Sequence, residues 1–250
     1  MTAALILVAG ATGGVGQLAV AKALEKGFTV RVLTRQADKA KQMFGDRVEI
    51  AVGDIRQPNT LPAAVQNVTH IICCTGTTAF PSAKWDFQNF FSAQNSPQQV
   101  DAVGVKNLVA AAPQDLQRFV FVSSCGVLRK KQFPFSILNA FGVLDAKQEG
   151  EQAIATSGLP YTIIRPGRLI DGPYTSYDLN TLLKATTDGK LAVVVGTGDT
   201  LVGDTSRIDV ATACVECISD PVTVNKTFEI VNSGARPEIT DWEALFAQLN

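Results

Sequence analysis

Four glycines stand within seven residues near the start of this chain: Gly10, Gly13, Gly14 and Gly16. They directly follow the apolar run Leu5-Ile6-Leu7-Val8-Ala9. A helical stripe comes next, Val15, Leu18, Ala19, Ala23 and Leu24, ending near Gly27. Strand, glycine turn and helix in that order can seat a pyrophosphate. Gly10 turns the chain sharply off the strand. Gly13 and Gly14 leave no side chain between backbone and phosphate, and Gly16 brings the helix close to the sheet. The orphan N–H groups and the dipole of the helix N-terminus then face the anion.

A second chemical candidate is weaker. Cys214 and Cys217 form a C-x-x-C, a spacing used by zinc and redox sites. The pair lies in a helical run, Ile208 to Ile218, among alanines and valines. No second Cys/His pair accompanies it, and His70 is the only histidine. Core packing is therefore the reading, and no metal site is expected. Cys73 and Cys74 sit in an apolar strand pattern, where cysteine acts as a small hydrophobe. With Cys125, the five cysteines suit a reduced, intracellular protein.

The 250 residues carry a formal net charge of −1, with 46% hydrophobic residues and no basic run. A nucleic-acid partner would need a positive face, so none is expected. No apolar stretch approaches the ~18 residues of a membrane span. Met-Thr-Ala-Ala-Leu enters the first strand at once, so no signal or transit peptide is expected ahead of it. The expected location is the cytoplasm, or the plastid stroma for a processed form.

The elements that must position the glycine turn alternate along the N-terminal half. Strands are expected at Thr29–Thr34, Val48–Val52, His70–Cys74 and Arg118–Ser123. Helical stretches lie between them around Lys39–Phe44, Leu61–Val65 and Val100–Ala112. Near-continuous apolar strands suit a parallel sheet covered on both faces. A helix from about Phe141 to Ser157 ends at Gly158, and Tyr161–Arg165 gives a sixth strand. Leu191–Val195 and Phe228–Val231 read as shorter strands, Ser206–Ile218 and Asp241–Leu249 as closing helices. The expected fold is α/β: a Rossmann-type doubly wound parallel sheet with a small C-terminal extension. Residues 1–250 read as one domain, whose part from about 166 to 250 shapes the substrate side. The longest irregular stretch, Thr75–Pro97, carries Phe80, Trp85, Phe87, Phe90 and Phe91. It reads equally as a lid over a ligand site at the carboxyl edge of the sheet or as an aromatic flap packed on itself.

Gly-Ala-Thr-Gly-Gly-Val-Gly (10–16), Gly-Asp-Ile (53–55), Phe-Val-Ser-Ser (121–124) and Ser-Gly-Leu-Pro-Tyr-Thr-Ile-Ile-Arg-Pro-Gly (157–167) occur in that order. Together they resemble the atypical short-chain dehydrogenase/reductase superfamily, in its NAD(P)H-binding, NmrA-like branch found in photosynthetic organisms. The resemblance implies that Gly10, Thr12, Gly13, Val15 and Gly16 hold the pyrophosphate. It implies that Asp54 and Ile55 meet the adenine, although a Gly-Asp pair also forms turns on its own. Thr75 and Gly76 would lie along ribose and phosphate, and Pro166, Gly167 and Leu169 near the nicotinamide.

In such folds the residue ending the second strand chooses the cofactor, an acidic one selecting NAD through the ribose 2′-OH. Here Thr34-Arg35 stands there instead. Arginine offers a planar fork suited to a 2′-phosphate, with Lys39 one helical turn on. NADP(H) is the expected cofactor. The resemblance also implies a serine and a Tyr-x-x-x-Lys pair. Ser124 fits the serine and Lys147 the lysine, but Val143 stands in the tyrosine's position. Valine has no proton to give, and general acid catalysis typically supplies ~10²–10⁴-fold. Ser124 also reads as a strand-end cap, and Lys147 as a ribose ligand or a solvated partner of Glu151. Tyr174 and Tyr177 are the candidate substitutes. Asp101 reads as a charge at a helix N-terminus. The first expectation is thus a weakly or non-catalytic NADP(H)-binding protein, reporting the nicotinamide redox state. A reductase of a small carbonyl or quinone is the alternative, and an assembly or scaffold protein with a structural nucleotide is the third.

Overall fold

The computed structural model describes residues 4–82, 85–89, 92–170 and 190–249. Tyr174, Tyr177, Phe90 and Phe91 lie outside the described residues. The N-terminal half runs β1 (Leu5–Ala9), α1 (Gly14–Glu25), β2 (Thr29–Thr34), α2 (Ala37–Phe44), β3 (Glu49–Val52), α3 (Pro62–Val65) and β4 (His70–Cys73). A short hairpin follows, β5 (Phe87–Asn89) and β6 (Ser92–Ala93). Next come a π-helical turn, Gln98–Gly104, and α4 (Val105–Ala111). The second half adds β7 (Arg118–Val122), α5 (Phe135–Leu138), α6 (Val143–Ala155), β8 (Tyr161–Pro166) and β9 (Arg168–Leu169). It closes with β10 (Leu191–Gly196), β11 (Asp204–Thr205), the helix Arg207–Ser219, β12 (Lys226–Ala235) and the short helix Trp242–Phe246.

Among the described residues, eight strands form the main sheet in the order β10-β12-β8-β7-β4-β1-β2-β3. All its pairings are parallel except β10 with β12. The chain runs outward from β1 to β2 and β3, then returns to β4 on the other side of β1. That reversal opens a crevice beyond the carboxyl ends of β1 and β4, where such sheets bind ligands.

Strand side chains alternate between two cores. Ile6, Val8, Val30, Val32 and Ile72 pack with α1 and the helix Arg207–Ser219 on one face. Leu5, Leu7, Ile71, Phe119 and Phe121 pack with Val105, Leu108 and Ile154 on the other. Both faces are dry, which is why these strands read as unbroken apolar runs.

One local expectation needs correction. The strand expected at Phe228–Val231 is ten residues long, because its polar end pairs with β10 at the sheet edge. The helix expected from about Phe141 begins at Val143, after Gly142 with φ +76°, and a separate four-residue turn of helix precedes it. The C-terminal part contributes β12 and β10 to the main sheet.

Candidate functional site

The glycine turn closes by a hydrogen bond from Gly13 N–H to the Gly10 carbonyl at 3.0 Å. Gly10 has φ +78°, a conformation that suits glycine. A Cβ on Gly16 would lie 2.1 Å from the Gly10 carbonyl oxygen, so only glycine lets α1 start this close to the strand. Gly14 has a packing role of its own. A Cβ there would meet the Arg207 side chain at 2.9 Å, so this glycine makes room for a buried arginine. Among the described residues no side chain caps the start of α1, and its first turn holds no acid. The helix end is thus left open to an anion.

A cleft of about 810 Å³ opens over this turn. Gly10, Thr12 and Gly13 line it, as do Thr34, Arg35, Gln36 and Lys39 after β2, Asp54, Ile55 and Arg56 after β3, and Thr75 to Thr78 after β4. Four loops from the carboxyl ends of neighbouring strands therefore meet there. Val15 and Gly16 lie buried behind the turn. Asp54 is forked by Arg56, whose Nε lies 2.9 Å from Oδ1. Burial opposes the Asp54 charge, but side-chain and backbone hydrogen bonds from Arg56 outweigh it and lower the pKa. Arg56 Nη1 also donates to the Gln94 carbonyl at 2.8 Å. Arg35 is exposed, and its Nη1 donates to Asn95 Oδ1 at 2.9 Å.

The remaining candidate residues gather at the ends of β4, β7 and β8. Lys147 is 7% exposed and Asp101 fully buried. Lys147 Nζ lies 2.9 Å from Asp101 Oδ1 and donates to the carbonyls of Thr75 (3.1 Å) and Val122 (2.9 Å). Its ammonium also lies 4.8 Å from the Phe121 ring centre. Two hydrogen bonds go to carbonyls, and the approach to Asp101 is an ion pair in which the buried Oδ1 accepts no hydrogen bond. Asp101 lies in the first turn of the π-helical stretch, as expected, and it also accepts from Thr77 N–H and Oγ1 and faces the lysine. One expectation falls here. Glu151 does not pair with Lys147, but forks the Arg165 guanidinium at 2.9 and 2.6 Å.

Ser124 is half-buried and donates to the Cys125 carbonyl at 2.9 Å. Cys125 N–H in turn donates to the Pro166 carbonyl, which joins the serine loop to the end of β8. Gly167 serves packing directly: a Cβ would lie 2.2 Å from the Gly203 carbonyl oxygen. Leu169 packs partly buried against the core. Val143 is 7% exposed and packs with Val127, Phe135 and Leu144. Aromatic rings gather nearby. Phe141 makes edge contacts with Phe80 and Trp85, and Trp85 stacks on Phe87. The 75–97 segment itself reaches the Arg35 end of the cleft, where Asp86 and Asn95 form part of the wall.

Sequence reasoning missed Arg56, Asn95, Thr77 and the Asp101 partner. Only Asp101 carries a signal: an acid inside an apolar helical stripe. Cys214 and Cys217 are fully buried. Contact with Cys74 and burial push the Cys214 thiol well up, and burial does the same to Cys217. Among the described residues no helix is long and apolar enough to cross a membrane.

Comparison with known proteins places these features in context. Residues 10–221 match the model of a family described as NAD(P)H-binding. The chain is 31% identical to sanguinarine reductase of Eschscholzia californica over 98% of its own length and 95% of the relative. It is also 31% identical to the chloroplastic protein TIC 62 of Arabidopsis thaliana. That match takes 98% of this chain but spans only 38% of the relative. In fold it is similar to a short-chain dehydrogenase/reductase of Veillonella parvula solved in complex with NADP. The TM-score is 0.64 at 17% identity, covering 95% of this chain and all of the other.

Proposed function

The chain belongs to a family described as NAD(P)H-binding, and from that premise we propose that it is an NADP(H)-binding protein of the short-chain dehydrogenase/reductase kind with little or no carbonyl reductase activity. The observation that carries this reading is Val143. The position that needs a phenol four residues before Lys147 holds a buried hydrocarbon.

The nucleotide fits the residues present. Gly10, Thr12 and Gly13 line a floor that side chains would fill, and the open end of α1 supplies N–H donors to a pyrophosphate. Arg35 and Lys39 stand where a 2′-phosphate would lie. Ile55 and the Asp54–Arg56 pair border the adenine side. Thr75 and Gly76 border the ribose; Pro166, Gly167 and Leu169 are not among the residues lining the cleft, and it is the family resemblance that assigns them to the nicotinamide side. When bound, the nicotinamide supplies hydride. The chain's part is to orient it and to handle the substrate oxygen. For that oxygen, Ser124 can donate a hydrogen bond but is too weak an acid to release its proton. Lys147 has no phenol to tune. The segment from about 166 onward borders the substrate side.

The resulting reading is a protein that holds NADP(H) and presents its redox state to a partner. Sanguinarine reductase, matched over most of its length, favours a second reading: reduction of a conjugated or quinone-like acceptor that draws its proton from water. The cytoplasm or plastid stroma is the proposed location, and the chloroplastic relative favours the plastid.

The test is NADPH oxidation against a carbonyl panel and a quinone panel, with wild type and Val143→Tyr. Tight NADPH binding without turnover is expected for the first reading, and quinone turnover alone for the second. Robust reduction of simple aldehydes by the wild type would sink the argument from Val143.

A further inference from the structure

Asn95 faces Arg35 across the cleft from a different loop. Its Oδ1 accepts from Arg35 Nη1 at 2.9 Å, and both residues line the cleft beside Gln36 and Lys39. Arginine has donors only, so the amide oxygen must be the end that faces it. The loop that carries Asn95 is itself held. Asn95 N–H donates to the Trp85 carbonyl at 2.8 Å, and Gln94 N–H to the Asp86 carbonyl at 3.2 Å. Arg56, already fixed by Asp54, donates to the Gln94 carbonyl. A fixed backbone thus aims one neutral acceptor at an otherwise exposed arginine.

We propose that Asn95 is a positioning residue for nucleotide selection: it holds the Arg35 guanidinium at the cleft wall and so sets the preference for a ribose 2′-phosphate over a 2′-hydroxyl. This rests on the reading that Arg35 meets the 2′-phosphate. A free arginine side chain must lose rotamer freedom when it grips an anion, and one held beforehand loses less. The acceptor's neutrality matters equally. An amide orients the guanidinium without cancelling its charge. A carboxylate at the same place would pair with Arg35, repel the phosphate and accept from a 2′-hydroxyl instead.

The experiment is calorimetric titration of the full chain with NADPH and with NADH, using wild type, Arg35→Ala, Asn95→Ala and Asn95→Asp. Asn95→Ala should weaken NADPH binding by ~3- to 10-fold and leave NADH unchanged. Asn95→Asp should weaken NADPH by ~10- to 100-fold with NADH unchanged or tighter. The NADH titration also reports whether each variant is folded. A wild type that prefers NADPH, with Arg35→Ala losing that preference while both Asn95 variants keep it, overturns this proposal alone. Equal loss of both nucleotides in Asn95→Ala marks a structural role and overturns it too. A wild type that binds both equally overturns the reading of Arg35 beneath it.

Discussion

Lys147 illustrates how far a side chain's role depends on partners distant in sequence. Its spacing from Glu151 offers an i,i+4 surface pair, yet the fold gives Glu151 to Arg165 and Lys147 to Asp101. Nothing in residue order reveals that exchange, because the partners arrive from the π-helical turn and β8. The glycine turn was legible for the opposite reason: its geometry is local, Gly10 having φ +78° and Gly16 packing on the Gly10 carbonyl of the same turn. Gly14 and Gly167 were legible as glycines but not in purpose, since each makes way for a remote group. The buried lysine pair yields a prediction. Removing one partner strands the other charge in a dry core, which costs about 3–5 kcal/mol. Lys147→Met and Asp101→Asn should each lower unfolding free energy by that order in urea titrations. The double variant should lose less than the sum of the two. Additive losses would show that the two groups do not interact.

At the scale of elements, the inner strands declare themselves because helices cover both faces and most positions are apolar. The edges do not. The outer end of β12 carries Asn232, Ser233 and Gly234 and stays a strand only through its pairing with β10. The π-helical turn is equally silent, since its apolar stripe suits an ordinary helix. Strand β4 makes a further prediction about pH. His70 opens it, almost fully buried, with Nδ1 2.8 Å from Thr69 Oγ1. Burial first, and the nearby Arg118 charge second, push its pKa down to about 4 from 6.5. The unfolded chain therefore binds the proton more readily than the folded one. The stabilisation is complete above pH 6.5 and is lost progressively as the pH falls toward 4. Its full size is about 3 kcal/mol, at ~1.4 kcal/mol per unit. His70→Asn, which does not titrate, should flatten the stability-pH slope between pH 6.5 and 4. An unchanged slope would assign acid sensitivity to other groups.

For the whole molecule, the cleft joins loops from β1, β2, β3 and β4, so a nucleotide seated there ties together elements far apart in the chain. A ligand that binds only the folded state stabilises it by mass action, about 2.7 kcal/mol at a hundred times Kd. In a chain of 250 residues each kcal/mol raises Tm by roughly 2–4 °C, so NADPH at that excess should raise it by roughly 5–10 °C. NADH at the same concentration should raise it by about 3–5 °C less if the preference is tenfold. Gly13→Val separates this linkage from general stability. Gly13 is exposed at the cleft floor, and a Cβ there meets only the Gly10 carbonyl oxygen, at 3.2 Å. The added side chain should therefore leave the ligand-free Tm nearly unchanged while filling the space above the turn. The expected result is a variant that melts like the wild type alone and gains nothing from NADPH. A full NADPH shift in Gly13→Val would place the phosphates elsewhere. A large fall in the ligand-free Tm would mean that the turn carries stability as well as the site.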